Sequence, residues 1–406
     1  MRPSALAITL ALCAAAAAAQ PDGELIFPLE HWHNHGSSLV ELPDGDLAVV
    51  WFHGSGERTA DDVAIFGARR DRETGVWSAP AVWADTPGFP DTNSTLIVGP
   101  KGKLWLFYPT ILDNRWQGAL LKFRVASDLR FERAPEWERS EVLHMKPGED
   151  FPRLLESRLE ELVTGLGLDW SHRDTWPEST RRWVEAGLEQ AQSKLTRRLG
   201  WFTRPHPYAF DDGRILVGLY SDGFSISAAT YSDDDGRTWT FSEPIVGSGN
   251  VQPSFAERSD GTLIAFMRDN GPAPKRVLVA ESPDRGETWS LARDHPDLVE
   301  SGAGNEVLVL ASGRWILAHN DTERGRHRLA VSISDNEGLS FPRRAHIERS
   351  DPETGRYHYP SVIQARDGTI HMSYSYHLAD ALGPGEQGKS IKHAWFSEEW
   401  LLLNAK

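Results

Sequence analysis

The sequence predicts an all-β fold, a six-bladed β-propeller with a helical hairpin inserted between blades two and three. Two observations predict the propeller: six hairpin signals recur along the 406 residues, and a short turn motif rich in Asp and Gly recurs in register with them. A repeat near fifty residues, with about four strands per unit, is typical of propeller blades. A third observation, apolar residues at helical spacing between 150 and 200, predicts the insertion.

Each hairpin signal is an apolar strand, a tight polar turn with a glycine, and a second apolar strand. The first and last copies are SSLVELPDGDLAVVWF at 37–52 and SVIQARDGTIHMSYSY at 361–376. Intervals of 57, 111, 48, 52 and 55 residues separate the turn glycines, which are Gly45, Gly102, Gly213, Gly261, Gly313 and Gly368. The one long interval contains the insertion, so the remaining length fits six blades of about 56 residues each.

The turn motif has the pattern S-x-D-x-G-x-T-W. Its intact copies are SDDDGRTW at 232–239 and SPDRGETW at 282–289, and altered copies lie at 69–77 and 334–341. In such a turn the Asp accepts backbone hydrogen bonds, the Gly adopts a φ that other residues avoid, and the aromatic side chain fills the blade. We expect these turns to be structural.

The segment 150–200 has two apolar stripes at the spacing of a helix face. They are Leu155, Leu159, Leu162 and Leu166, followed by Val184, Leu188, Ala191 and Leu195. Gly200 is expected to end the second helix. The hairpin packs on the flank of the propeller or forms a lid over the cleft. Near the other end of the chain, the extended segment 24–31 is expected to pair into the last blade and close the ring.

Residues 1–19 carry one basic residue, an apolar run and small residues, a pattern typical of a secretory signal cleaved near Ala19. We therefore expect residues 20–406 to form a secreted or periplasmic domain. The only cysteine, Cys13, lies in that signal, so the exported protein must rely on its core rather than on disulfides. The net charge of −15 argues against nucleic acid or an anionic membrane as a partner. A monomer is expected.

The histidines at alternate positions 31, 33 and 35 could line one face of a strand. No cysteine or carboxylate lies near them at a spacing typical of zinc ligands. We therefore expect structural roles for His31 and His33, and neither a metal ion nor another cofactor.

The chemistry of a propeller is expected on the face where the inner strands start and neighbouring loops converge. The residues there form a ring of polar and charged side chains: His35, Asp91, Arg204, Gln252, Glu306 and Tyr359, with Asp61, Asp62, Arg268, Asn320 and Arg326 added from the ends of the second strands. Solvation of loops alone does not require so many charged groups.

These motifs resemble the sialidase superfamily of six-bladed propellers, and the resemblance covers nearly all of residues 20–406 except the insertion. The segment 267–289 resembles the family's arginine strand and its Asp-containing turn, 326–338 resembles the next such strand, and 358–370 resembles the strand of the nucleophile. The resemblance implies that Arg268 and Arg326 bind a sugar carboxylate and that Tyr359 is the nucleophile.

Two positions depart from the family's pattern. His35 stands where the family has its first arginine, and Gln252 stands where it has the glutamate that activates the tyrosine. An amide cannot take a proton, so we expect Glu306 of the neighbouring blade to supply the carboxylate to Tyr359. The alternative for Glu306 is an ion pair with a nearby arginine.

The family's general acid lies in the loop after blade one, which points to Asp61 or Asp62, with Asp91 as the second choice. Turn or helix-capping roles are the alternatives for the first two. Asn320 is expected to bind a sugar hydroxyl, and His35 and Gln252 are expected to contact substrate.

The leading function is a secreted sialidase-like exo-glycoside hydrolase that releases a terminal acidic sugar from a glycan. A lyase acting on uronate residues is the second enzyme reading, because it also needs arginine near a carboxylate and Tyr or His to move protons. A non-catalytic glycan-binding propeller is the third.

Overall fold

The six predicted hairpins form the first two strands of six four-stranded antiparallel sheets. The structure, a computed structural model, describes residues 20–406, and the predicted signal segment lies outside them. The first strands of blades four, five, six, one and two contact one another in that order, and the second strand of blade three contacts the first strand of blade four. The all-β, six-bladed propeller predicted from the repeats is therefore confirmed.

The first described strand is β1 (Asp22–Leu25), which belongs to the last blade. Blade one contains β2 (His33–Glu41), β3 (Leu47–Gly54), β4 (Ala64–Arg70) and β5 (Ala81–Ala84). Blade two contains β6 (Thr95–Val98), β7 (Leu104–Ile111), β8 (Ala119–Ala126) and β9 (Arg139–Val142). Blade three contains β10 (Tyr208–Ala209), β11 (Ile215–Ser221), β12 (Ile226–Ser232) and β13 (Thr240–Phe241).

The second half of the chain builds the other three blades. Blade four contains β14 (Asn250–Glu257), β15 (Leu263–Asp269), β16 (Arg276–Ser282) and β17 (Arg293–Val299). Blade five contains β18 (Glu306–Val309), β19 (Trp315–Asn320), β20 (Arg328–Ser334) and β21 (Arg343–Arg349). Blade six contains β22 (Gly355–Gln364), β23 (Ile370–Gly383) and β24 (Glu386–Phe396).

The ring is closed by β1, which pairs antiparallel with β24 from Asp22 opposite Trp395 to Leu25 opposite Lys392. An isolated bridge between Glu30 and Lys389 continues the contact. The predicted closure by the segment 24–31 is confirmed, with pairing that begins two residues earlier.

Between β9 and β10 the chain forms α1 (Phe151–Gly165), α2 (Glu178–Gln192) and α3 (Lys194–Arg198), and α4 (Glu398–Asn404) follows β24. The buried sides of α1 and α2 pack with apolar residues of blades two and three. The two stripe residues Leu166 and Leu195 are 62% and 67% exposed, because α1 ends at Gly165 and α2 ends at Gln192. Gly200 follows α3 instead of α2. No helix within residues 20–406 is long and apolar enough to cross a membrane.

The Asp-containing turns make the hydrogen bonds that the motif predicts. In the first intact copy, Asp234 accepts from the amide and the hydroxyl of Thr238 at 2.8 and 2.7 Å. In the second, Asp284 accepts from the amide and the hydroxyl of Thr288 at 2.9 and 2.6 Å. Both turns join the third strand of a blade to the fourth, far from the axis, where they stabilise the blade edges.

Candidate active site

Three inner strands carry a β-bulge at the same level of the propeller. The pairing register shifts within 35–38 of β2, 251–254 of β14 and 358–361 of β22. The backbone is left-handed at each bulge, with φ of +64°, +60° and +55° for Gly36, Gln252 and Tyr359. Non-glycine residues in this region are uncommon and concentrate at functional sites, and a bulge redirects a side chain.

Tyr359 lies among positive charges and is only 8% exposed. Its hydroxyl oxygen accepts a hydrogen bond from Arg268 Nη1 at 3.0 Å, and the guanidinium carbon of Arg326 lies 5.4 Å from the ring centroid. Burial raises the pKa of the Tyr359 hydroxyl, but the charges of Arg268 and Arg326 outweigh that effect, so its net pKa lies below the usual value. A phenol with a lowered pKa is a better nucleophile at neutral pH. The structure brings these three predicted residues together.

A third arginine, Arg204, lies on the same ring and was not among the residues singled out from the family's pattern. Its guanidinium carbon is 5.4 Å from the Tyr359 centroid, and Nη2 donates to the Pro360 carbonyl at 3.0 Å. The side chain is almost fully buried. The sequence does contain a signal for Arg204. Arg204 directly precedes Pro205, just as Gln252 precedes Pro253 and Tyr359 precedes Pro360.

Gln252 lies beside Tyr359 as predicted, within a small hydrogen-bonded group. Its Nε2 donates to the Tyr220 hydroxyl at 3.0 Å, and Asn93 Nδ2 donates to the same oxygen at 2.9 Å. Burial raises the pKa of Tyr220 well above the usual value, so this phenol keeps its proton. Gln252 also helps to lower the pKa of Tyr359 by hydrogen bonding. The amide therefore supports the nucleophile without accepting its proton.

Glu306 does not reach the Tyr359 hydroxyl, contrary to our expectation. Its Oε1 accepts from the amide and the ring Nδ1 of His206 at 2.6 and 2.9 Å, and its Oε2 accepts from the Val362 amide at 3.0 Å. Within residues 20–406 no hydrogen bond joins Glu306 to Tyr359. Ser361 makes the same kind of link, accepting from the Leu39 amide at 2.9 Å. Glu306 thus ties neighbouring inner strands together.

The expected general acids, Asp61 and Asp62, lie in an exposed turn. Asp61 accepts from Asn114 Nδ2 at 2.9 Å, and Asp62 accepts from the Ser55 amide and hydroxyl at 3.1 and 2.9 Å. Both carboxylates therefore shape the loop after blade one. These contacts fit the turn roles given as their alternative, and the assignment of the acid to either residue stays a prediction.

The same loop places a different carboxylate, Glu57, toward the arginines. Its side chain is 32% exposed, and burial raises the pKa of its carboxyl above the usual value, although Arg58, Arg326 and Arg268 oppose the shift. A carboxyl that keeps its proton at higher pH is suited to protonate a leaving group. Sequence reasoning pointed to this loop but did not single out Glu57 as the acid, because only the fold of the loop decides which acid turns inward.

Two further predicted residues have structural partners instead of a place beside Tyr359. Asp91 is buried against Thr110, whose hydroxyl donates to it at 2.5 Å, and burial raises its pKa to about 6. Asn320 donates to the carbonyls of Arg328 and Tyr357 at 2.9 and 2.7 Å. Both amide protons of Asn320 are thus engaged, whereas its buried Oδ1 has no hydrogen-bond partner within residues 20–406, so its expected contact with a sugar hydroxyl stays a prediction.

His35 lies on the opposite side of Tyr359 from Arg268, within a cluster of buried histidines. Its ring centroid is 4.4 Å from that of Tyr359 and 4.6 Å from that of His358, and His358 is 4.9 Å from His377. Burial lowers the pKa of all three, to about 3 for His377 and well below the usual value for the others, so the rings are uncharged. The structure describes one group of three side chains whose donor atoms are close enough to hold a metal ion, and it is this cluster, with one nitrogen per ring within 4.8 Å of the others.

Comparisons with known proteins agree with this architecture. A family model described as a BNR repeat-like domain matches residues 170–372, half of the chain. The sialidase of Micromonospora viridifaciens is 25% identical over 395 residues, which cover 90% of this chain and 51% of that protein. The anhydrosialidase of Macrobdella decora is 36% identical over 179 residues, which cover 40% of this chain and 23% of that protein. The chain thus spans about half of the first relative and less of the second.

Among solved structures, a leech intramolecular trans-sialidase complexed with 2,7-anhydro-Neu5Ac has a TM-score of 0.66 at 13% identity, with 94% of this chain and 71% of that chain covered. Fold and site together define a six-bladed propeller with a tyrosine held among arginines at its centre. The chain belongs to the BNR repeat-like family, within the sialidase superfamily of propellers.

Proposed function

We propose that this protein is a retaining exo-glycosidase of sialidase type that releases a terminal acidic sugar from a glycan. The observation that carries the proposal is the hydrogen bond from Arg268 to the Tyr359 hydroxyl, with Arg326 against the same ring. Membership of the family, and relatives named sialidase and anhydrosialidase, support a glycan-processing function.

In the first step, the remaining guanidinium protons of Arg268 and those of Arg326 bind the sugar carboxylate. Tyr359, having lost its proton to solvent, attacks the anomeric carbon through its phenolate oxygen. The bond from that carbon to the glycan oxygen breaks, and Glu57 gives its proton to the departing oxygen. The positive charges around Tyr359 stabilise the phenolate, in place of the base that Gln252 cannot supply.

In the second step, the Glu57 carboxylate takes a proton from water, and the water oxygen attacks the anomeric carbon. The bond to Tyr359 breaks, and the phenolate returns to its contact with Arg268. Two displacements at one carbon retain its configuration. Tyrosine nucleophiles are a known exception to the usual pair of carboxylates.

We further propose that the domain acts after export, on the basis of the signal-like segment 1–19. N-terminal sequencing of protein recovered from outside the cytoplasm, with Gln20 as the expected first residue, tests this proposal.

The central test is a release assay over a panel of sialosides, related nonulosonates and uronides, with Tyr359→Phe as the control. We expect a free acidic sugar from at least one substrate, and no release by the variant. A fluorinated analogue of that sugar should leave an adduct on the Tyr359 peptide, detected by mass spectrometry. An unsaturated, ultraviolet-absorbing product would assign the lyase reaction instead, and binding without turnover would assign a glycan-binding protein.

A further inference from the structure

The cluster of His35, His358 and His377 has fixed hydrogen-bonding directions, because each ring is held by one fixed partner. Arg326 Nη1 lies 3.0 Å from His358 Nδ1. A guanidinium group only donates, so His358 Nδ1 accepts, and the uncharged ring carries its proton on Nε2.

His377 also carries its proton on Nε2, but the nitrogen without a fixed partner is an acceptor instead of a donor. Its Nε2 lies 2.9 Å from the Asn34 carbonyl oxygen, which only accepts. His377 Nε2 therefore carries the proton, and its Nδ1 has a free lone pair.

His35 is fixed through Ser375. The Ser375 hydroxyl oxygen accepts from the Gly36 amide at 3.0 Å and lies 2.8 Å from His35 Nδ1. Within residues 20–406 the Ser375 hydroxyl has no other acceptor, so its proton is assigned to His35 Nδ1, and His35 then carries its own proton on Nε2. The three rings thus present two N–H donors, on His35 and His358, and one acceptor, on His377.

This set matches a group that accepts two hydrogen bonds and donates one, as a sugar hydroxyl does and as a water molecule does in its absence. One nitrogen of each ring lies within 4.8 Å of the others, which leaves room for one oxygen about 2.8 Å from each, an ordinary hydrogen-bond distance. A carboxylate oxygen would leave the lone pair of His377 without a donor. His358 Nε2 is buried and has no partner in the described part of the chain, so its N–H is a buried donor that a bound group can satisfy.

A metal ion fits this set poorly. A histidine that binds a metal normally donates its other N–H to an acceptor, whereas the other nitrogen of His358 accepts from Arg326. The charges of Arg268 and Arg326, both close to Tyr359, also repel a cation.

We propose that His35, His358 and His377 form an uncharged subsite that binds a hydroxyl group of the acidic sugar, while Arg268 and Arg326 hold its carboxylate. The identity of the sugar rests on the proposed function. The donors and the acceptor of the subsite rest only on the hydrogen bonds of the three histidines. The substrate class is therefore a sugar acid whose hydroxyl reaches the three histidines while its carboxylate contacts the arginines beside Tyr359.

The ligand-free protein provides the first test. In histidine-selective ¹⁵N NMR, assigned with single His→Gln variants, all three rings should be neutral with the proton on Nε2 between mildly acidic and neutral pH. A proton on Nδ1 of His358, or a charged ring in the cluster, would overturn the proposal. So would one zinc per chain that survives dialysis and is lost in His377→Gln.

The second test measures the contact itself by calorimetry. The probes are N-acetylneuraminate, D-glucuronate and D-galacturonate, followed by monodeoxy derivatives of the acid that binds tightest. One monodeoxy derivative should bind the wild type at least about 10-fold more weakly than its parent, because the hydrogen bonds to that hydroxyl are lost, and the penalty should be smaller in His377→Phe, which lacks one of the three contacts. The exposed His144→Phe serves as the matched control and should bind like the wild type.

The outcomes separate the two proposals. Turnover of a glycoside with no sensitivity to any single hydroxyl overturns the subsite and leaves the proposed function standing. Binding that depends on one hydroxyl through His377, without turnover of any glycoside, supports the subsite and overturns the proposed function. Failure of all three acids to bind, together with no release from the panel, overturns both.

Discussion

The two sides of Tyr359 differ in charge although both are buried and polar. Arg268 and Arg326 bring positive charge to the phenol, whereas His35 and His358, the second of which accepts a hydrogen bond from Arg326, are uncharged rings 4.4 and 5.8 Å from it. Desolvation acts on both sides, but a guanidinium group keeps its proton when buried whereas an imidazole gives it up. His35, at the position where the family's pattern has an arginine, therefore offers substrate an uncharged hydrogen-bonding ring instead of a positive charge.

This division explains how the site manages without the glutamate at Gln252. The cations, together with hydrogen bonding by Gln252, bring the pKa of Tyr359 below its usual value. The neutral side adds no charge that would oppose the phenolate or compete for the carboxylate.

The largest effect is expected from Arg268→Gln, which removes both a cation and the hydrogen bond to Tyr359. We expect kcat/KM to fall about 1,000-fold, the scale of losing one charge-stabilising donor. Because Tyr359 must be deprotonated to attack, and the loss of a cation raises its pKa, the acidic limb of the pH–rate profile should move to higher pH. Arg293→Gln, at an exposed position of β17, is the matched control for steady-state kinetics. Equal effects of the two changes would remove Arg268 from the chemistry.

An intermediate effect is expected from Glu57→Gln on the charged side. Removal of a general acid should lower kcat about 100-fold on a glycan, and much less on a nitrophenyl glycoside, whose leaving group needs no proton. The protonated carboxyl is the active form, and burial raises its pKa, so activity is present below that pKa and falls as pH rises through it. The variant should lack this alkaline limb.

Asp61→Asn is the comparison for Glu57, because both residues lie in the loop after blade one. It should keep activity within about twofold, since its carboxylate binds Asn114 on the outside of the loop. A larger loss for Asp61→Asn than for Glu57→Gln would return the role of acid to the residue first expected from the sequence.

A small effect on activity is also expected from Glu306→Gln, which tests whether this buried carboxylate is structural. We expect kcat within about threefold of the wild type, but a free energy of unfolding lower by about 1–3 kcal/mol, because the Val362 amide loses its acceptor. His206 and Arg204 hold the pKa of Glu306 below its usual value despite burial. Its contribution is therefore present above the pKa of an unfolded glutamate and is lost as pH falls through the lower, folded value.

Urea unfolding of both proteins at neutral and acidic pH measures this contribution, and the difference should shrink in acid. A loss of turnover without a loss of stability would show instead that Glu306 takes part in the reaction.

Particular residues show how far sequence reasoning reached. Arg268, Arg326 and Tyr359 were predicted to meet, and they do, because each occupies a fixed place on a repeated blade. Glu306 lies on the predicted strand, but its partners are His206 and Val362 instead of Tyr359, and the contacts of Asp61 and Asp62 fit the turn roles given as their alternative. The choice among acidic residues in one loop depends on backbone direction, which a hydrophobic pattern does not encode.

The sequence by itself determined the number of blades, the turns and closure by β1, since these follow from alternating apolar strands and glycines at a regular interval. Only the tertiary structure decided which side chains share the space around Tyr359. Arg204 and His35 lie 155 and 324 residues from it along the chain and meet its ring because the blades converge on the axis, and the bulges at 35–38 and 358–361 redirect side chains there. Long-range contacts of this kind also fix the protons of the three histidines, because their partners come from other strands and other blades.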